Sequence, residues 1–208
     1  MRQGQEMRDG DVRRALWRYL LAEHRGDADT IILDELGLEH GQVRVDVAVI
    51  DGELRGYELK SARDNLERLP HQVVAYSAVL DRATLVAAEC HLEEAAALVP
   101  AWWGLRVAVP RVGGVALEPV RAADPNPGVS PLSLVRLLWH AEALAILEEV
   151  GAARGVRGKP RDALYQRLVQ TLTLEQLQAR VRGALKSREG WRAGRAPGGS
   201  EEMASERP

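Results

Sequence analysis

The 208-residue chain has one cysteine, Cys90. A single thiol forms no internal disulfide and falls far short of a zinc cluster, so Cys90 is expected to fill space at a strand or helix boundary. Lysine is nearly as scarce: almost every basic position is Arg, with Lys only at 60, 159 and 186. No apolar run approaches the roughly 20 residues that span a bilayer. The opening MRQGQEMRDGDVRR also lacks the apolar stretch of a signal peptide. A cytoplasmic protein with no membrane partner is therefore expected. His40, His71 and His91 lack metal-ligand spacing, and Ser61 has no His–Asp partner pattern, which argues against zinc and serine-nucleophile chemistry.

An apolar fraction of 46% is enough for one ordinary domain with a small appendage. The net charge of -2 conceals an asymmetry. Residues 154–196 carry eleven Arg and Lys against three acids, whereas residues 1–153 carry sixteen basic against twenty-four acidic side chains. A basic C-terminal segment on an acidic body suits a polyanion partner, and equally suits a solvated Arg-rich helical surface.

Residues 9–25 place Val12, Ala15, Leu16, Tyr19 and Leu20 on one stripe of an amphipathic helix, with Asp9 or Asp11 available as its N-cap. Thr30 to Leu33 reads as a strand running on toward Leu38. Val43, Val45, Val47 and Val49 then alternate with other residues at the period of a strand, Asp51-Gly52 signals a turn, and Leu54 to Ser61 returns. A helix is expected across 64–80, with Asp64 and Glu67 at capping-box spacing and Pro70 restarting it. Residues 83–88 suggest a strand, 91–99 a helix, and 104–109 and 114–120 two more strands. The Pro- and Gly-rich stretch 123–131 marks the expected domain boundary. It separates a domain over 1–122 from a helical domain over 132–189, and 190–208 holds too little apolar content to order itself.

The apolar pattern also sets a register for the hairpin, because buried faces must align across paired strands. Pairing Val45 with Leu59 and Val47 with Tyr57 sets Asp46 opposite Glu58 and Arg44 opposite Lys60. A strict two-residue turn would shift this pairing by one, so a longer connection or a bulge is expected at 51–53. Two carboxylates at cross-strand distance repel unless a cation sits between them. Oxygen ligation by Asp46, Glu58 and the carbonyl of Leu59 suits Mg²⁺ or Mn²⁺. Such an ion, with Lys60 beside it, would support attack of water on a phosphodiester. Lys at 60 is informative in a chain that otherwise prefers Arg, since a compact titratable ammonium differs from a guanidinium at a reacting centre. The bland alternative is a salt bridge on a solvated sheet face. Trp102 and Trp103 are expected to pack against the sheet, with base stacking the alternative.

Asp46, eleven intervening positions and then Glu58-Leu59-Lys60, in a helix-strand-strand-strand-helix-strand order, resemble the PD-(D/E)XK nuclease superfamily. Gln72 and Tyr76, four apart on the following helix, match the QxxxY element of its RecB-like branch. The run 35–87 is similar to an uncharacterised bacterial family with "sce"-style names, distantly similar to MmcB-type repair proteins. That likeness covers about 30–122 well. The resemblance implies an α/β, restriction-endonuclease-like fold, with a mixed central sheet flanked by helices and a small all-helical C-terminal domain after it. It implies a metal-dependent deoxyribonuclease in DNA repair or mobile-element processing, with Asp46, Glu58, Lys60 and Gln72 catalytic. Asp46, Glu58, Leu59 and Glu35 would hold the metal, Glu35 being the best match to the superfamily's additional acid. Arg44, Tyr76, Lys159 and Arg161 are the expected nucleic-acid contacts, the last two opening a helical stretch that faintly resembles a SAP-like DNA-binding module and equally reads as a helical lid or dimerisation element. A homodimer is a further expectation. The rival reading is a non-catalytic nucleic-acid-binding or regulatory protein that keeps the fold.

Overall fold

The computed structural model describes residues 7–188. The tail expected over 190–208 lies outside the described residues. Helix α1 (Asp9–Glu23) leads into three antiparallel strands, β1 (Ile31–Leu38), β2 (Val43–Ile50) and β3 (Leu54–Lys60). Helix α2 (Leu69–Ser77) crosses to β4 (Arg82–Ala88), and α3 (Leu92–Leu98) crosses to β5 (Gly104–Arg111), each strand parallel to its predecessor. Strand β6 (Gly114–Arg121) closes an antiparallel hairpin. The result is one six-stranded mixed sheet in sequential order, flanked by helices, which is the expected fold class. The C-terminal helices are α4 (Pro131–Val135), α5 (His140–Glu149), α6 (Arg161–Thr171) and α7 (Leu174–Ser187). Among the described residues no helix is long and apolar enough to cross a membrane.

Both sheet faces are covered. Val12, Leu16, Trp17 and Leu20 of α1 seal one face with Val47, Val49, Tyr57 and Leu59. On the other face α2, α3 and all four C-terminal helices share one continuous core with the sheet, from Leu33 and Leu85 through Trp103 to Leu147, Leu168 and Val181. The helical unit therefore folds onto the sheet instead of hanging from it. The expected boundary at 123–131 is correspondingly a bound strap. Asn126 donates from its side chain to the Ser77 and Leu80 carbonyls and from its backbone to Asp81, and Ser130 N–H donates to Ala78.

Three local expectations change. α1 begins one residue after Arg8, whose N–H donates to Asp11 at 3.1 Å, so Asp11 caps from inside the helix. The helix expected from 64 starts only at Leu69, with Pro70 in its first turn. Asp64 does not cap it and instead accepts from the Ser61 N–H (2.7 Å) and hydroxyl (2.6 Å), closing a turn at the end of β3. The valine series of β2 divides: Val43 and Val45 face the helical core, Val47 and Val49 face α1. The strand reverses its pleat at Asp46, opposite Glu35, which has a left-handed φ of 58°. Leu33 and Leu36 on β1 change phase in step, both facing the helical core. The turn behaves as expected, since Ile50 pairs with Leu54 across a three-residue Asp51-Gly52-Glu53 loop.

Candidate active site

The site grows from the place where β2 peels away from β3. The ladder runs from Ile50–Leu54 to Val47–Tyr57, the predicted register, and then stops. The further expected pairs, Val45–Leu59, Asp46–Glu58 and Arg44–Lys60, do not form. Backbone groups released there need other partners. The Leu59 N–H donates to Oδ2 of Asp46 at 2.8 Å, so a side chain replaces a backbone carbonyl. The Asp46 carbonyl accepts from Arg13 of α1 (2.8 Å), and the Arg44 carbonyl accepts from the Tyr76 hydroxyl of α2 (2.9 Å). A pin from each face thus holds the strand open at Asp46.

Beside the opening, Glu58 and Lys60 are almost completely buried, at 1% and 4% exposure. Lys60 Nζ donates to Glu58 Oε1 at 2.7 Å and to Gln72 Oε1 at 3.1 Å. The one Tyr76 O–H is shared between Glu58 Oε2 at 2.5 Å and the Arg44 carbonyl, and its ring stacks on Trp103 with centroids 5.5 Å apart. Burial, then the charge of Glu58, holds the Tyr76 phenol well above its usual range, so it acts as a donor. Asp46 is pushed up to about 7, first by burial and then by the Glu58 charge, against the opposing Leu59 N–H and Arg13. Asp46, Glu58, Leu59, Lys60 and Gln72 line one open cleft of about 340 Å³, with Glu35, Arg44, Arg68 and His71 around it.

The expected residues divide by position. Asp46, Glu58, Lys60 and Gln72 converge. Glu35 borders the same cleft, but its exposed carboxylate is bonded to Arg44 at 3.1 Å. Among the described residues no group of three or more His, Cys, Asp or Glu gathers tightly enough to hold a metal. Tyr76, expected at nucleic acid, is fully buried and serves Glu58 instead. Lys159 and Arg161 are exposed on the helical unit and do not line the cleft. Trp103 is fully buried against the sheet, as expected of packing. Cys90 sits in a short turn between β4 and α3, a helix boundary. Arg13 and Asp34 escaped the sequence reading. Asp34 of β1 accepts from both Arg13 (2.9 Å) and the Trp17 indole (3.0 Å), fixing the guanidinium over Asp46. The available signal was Arg13 lying one helical turn after Asp9, with which it pairs at 3.4 Å.

The groups of the cleft that could reach a metal are two carboxylates, Asp46 and Glu58, and the neighbouring Leu59 carbonyl. That fits a hard divalent cation, which takes one or two carboxylates and fills its other positions from solvent.

No curated protein and no solved structure matches the chain. A family model matches residues 2–192, nearly the whole length, and the chain belongs to that family, the one described as bacteriophage P4 protein cII.

Proposed function

We propose that this chain is a Mg²⁺- or Mn²⁺-dependent nuclease of the PD-(D/E)XK type that hydrolyses DNA phosphodiester bonds. The observation that carries the reading is the convergence of Asp46, Glu58, Lys60 and Gln72 on one open cleft. Asp46, Glu58 and the Leu59 carbonyl would hold the cation, with Glu35 as a further acid from β1. When bound, the cation supplies charge stabilisation at the phosphoryl oxygen and a water of lowered pKa. The chain's own groups do the rest. Lys60, aimed by Gln72, offsets charge on the phosphate. Tyr76 fixes the plane of Glu58, and Arg13 fixes Asp46. Arg44 at the mouth, and Lys159 and Arg161 on the helical unit, would neutralise DNA phosphates. A cytoplasmic enzyme, alone or as a homodimer, is the proposed form. Mobile-element processing is a setting that suits a family named for a bacteriophage protein.

A second reading also has an observation in its favour. Every oxygen of Glu58 already has an internal donor, and Asp46 is engaged by Leu59 and Arg13, as in a fold kept for binding alone. Incubation of single- and double-stranded DNA with Mg²⁺ or Mn²⁺ decides between them. The nuclease reading expects cleavage that Asp46→Ala and Lys60→Ala each abolish. Firm binding with intact DNA in every lane supports the non-catalytic reading.

A further inference from the structure

We infer that Lys60 is a resident counter-ion of Glu58 that a divalent cation must displace, so that cation and polyanion bind the cleft cooperatively. This rests on the proposed nuclease site. The ammonium sits 2.7 Å from Glu58 Oε1, and both groups are nearly sealed from solvent. The other oxygen is held by Tyr76, itself pinned by the Arg44 carbonyl and stacked on Trp103. Oε1 is therefore the oxygen a cation would take, and the ammonium already occupies it. A buried charge left without a partner is costly, so Lys60 leaves Glu58 readily only when another anion accepts it. Its second bond, to Gln72 at 3.1 Å, lies toward α2, where His71 and Gln72 line the same cleft with Arg68 just before the helix. A phosphate entering there would draw the ammonium from Oε1 and open that oxygen to the cation. Binding linkage requires the converse: cation loading tightens DNA binding by the same factor.

The test measures Mn²⁺ uptake by electron paramagnetic resonance, with and without a cleavage-resistant phosphorothioate DNA duplex, after subtraction of the duplex's own uptake. Wild-type protein should bind Mn²⁺ about tenfold tighter with the duplex, within the ordinary range of site–site coupling. Lys60→Met should bind Mn²⁺ tightly without DNA and show no further gain. Arg157→Met removes an exposed charge on the helical unit, away from the cleft, and should keep the wild-type coupling. Equal Mn²⁺ affinity in wild type and Lys60→Met, or a wild-type affinity indifferent to the duplex, overturns the inference. Should Lys60→Met fail to fold, the wild-type comparison with and without duplex still decides. Mn²⁺ binding that responds to the phosphorothioate duplex, while an ordinary duplex stays uncut with Mg²⁺ or Mn²⁺, would sink the nuclease reading and leave the linkage standing.

Discussion

Asp81 and Glu58 are acids sunk into the same sheet at opposite ends of the parallel β3–β4 pair, and they are handled differently. Asp81 accepts from the Leu54 N–H at 2.6 Å, from Gln178 at 2.6 Å and from Arg182 at 3.2 Å, the last two reaching down from α7. One negative charge meets one guanidinium and two further donors, and a helix covers the group. At the other end Glu58 has a second carboxylate, Asp46, for a neighbour, and the cleft beside them is open. Asp81 is paired and covered where α7 is fastened to the sheet. Glu58 is paired as well, to Lys60, and is buried more deeply, so what sets its end apart is the second acid, Asp46, whose charge is disfavoured by burial and by Glu58 beside an open cleft.

Three substitutions sharpen or break this contrast. Asp81→Ala should have the largest effect on stability. It leaves the half-buried Arg182 without its carboxylate and strands two further donors, at a cost of about 3 kcal/mol, read as a melting temperature roughly 10 °C lower. Mn²⁺ uptake should be unchanged; a loss of uptake would show that the two ends are not separable. Asp46→Asn should act in the opposite direction. A carboxyl raised to about 7 from the usual 3.8 binds its proton more tightly in the folded than in the unfolded chain. Folded stability therefore falls as pH rises from near 4 through 7, and the full cost is present above 7. The Asn variant should melt higher than wild type at pH 8, by the equivalent of roughly 2 kcal/mol after allowance for partial solvent screening, and the gap should close toward pH 4. A gap that widens on acidification would mean that Asp46 is stabilised as a carboxylate. Glu148→Gln, which removes the partner of Arg157 on the helical unit, should shift stability by no more than about 0.5 kcal/mol, because that pair is exposed. A larger loss would mark it as part of a cooperative charge network.

Charge composition had suggested a polyanion for the C-terminal segment. Much of that charge is used at home. Arg157, Arg180 and Arg188 pair with Glu148, Glu149 and Glu142 within the helical unit, while Arg182 and Lys186 reach Asp81 and Asp29 of the sheet region. The acidic body is thus a partner of the basic segment, a solution that counting charges does not separate from a DNA-binding surface. Lys159 and Arg161 stay exposed and are the residues on which the DNA expectation for this unit rests.

Sequence made the sheet legible because its strands alternate or run apolar between clear turn signals, and the Val47–Tyr57 register followed from matching buried faces. The three-residue loop followed as well, being the connection that this register permits. The broken pleat at Asp46 was not legible. Beyond Asp46, β2 is covered on both sides, so Ala48 and Ile50 are as apolar as the valines, and Asp46 reads as one more polar position of an unbroken alternation. Its cause lies in long-range contacts, Arg13 from one side and Tyr76 from the other, which no local pattern encodes. Asp46, Glu58 and Lys60, which line one cleft, were singled out by type and spacing. Arg13 and Asp34 were missed because their roles exist only once α1 is laid across the first two strands.

The shared core has a practical meaning for anyone trimming the protein. A fragment ending after β6 would shed Leu134, Leu147, Leu168, Val181 and their neighbours, baring the wall of the sheet that they cover. It would also strip Gln178 and Arg182 from Asp81. Such a piece would keep every side chain of the cleft and still be expected to clump before it could be assayed, so the smallest self-sufficient unit includes the last helix.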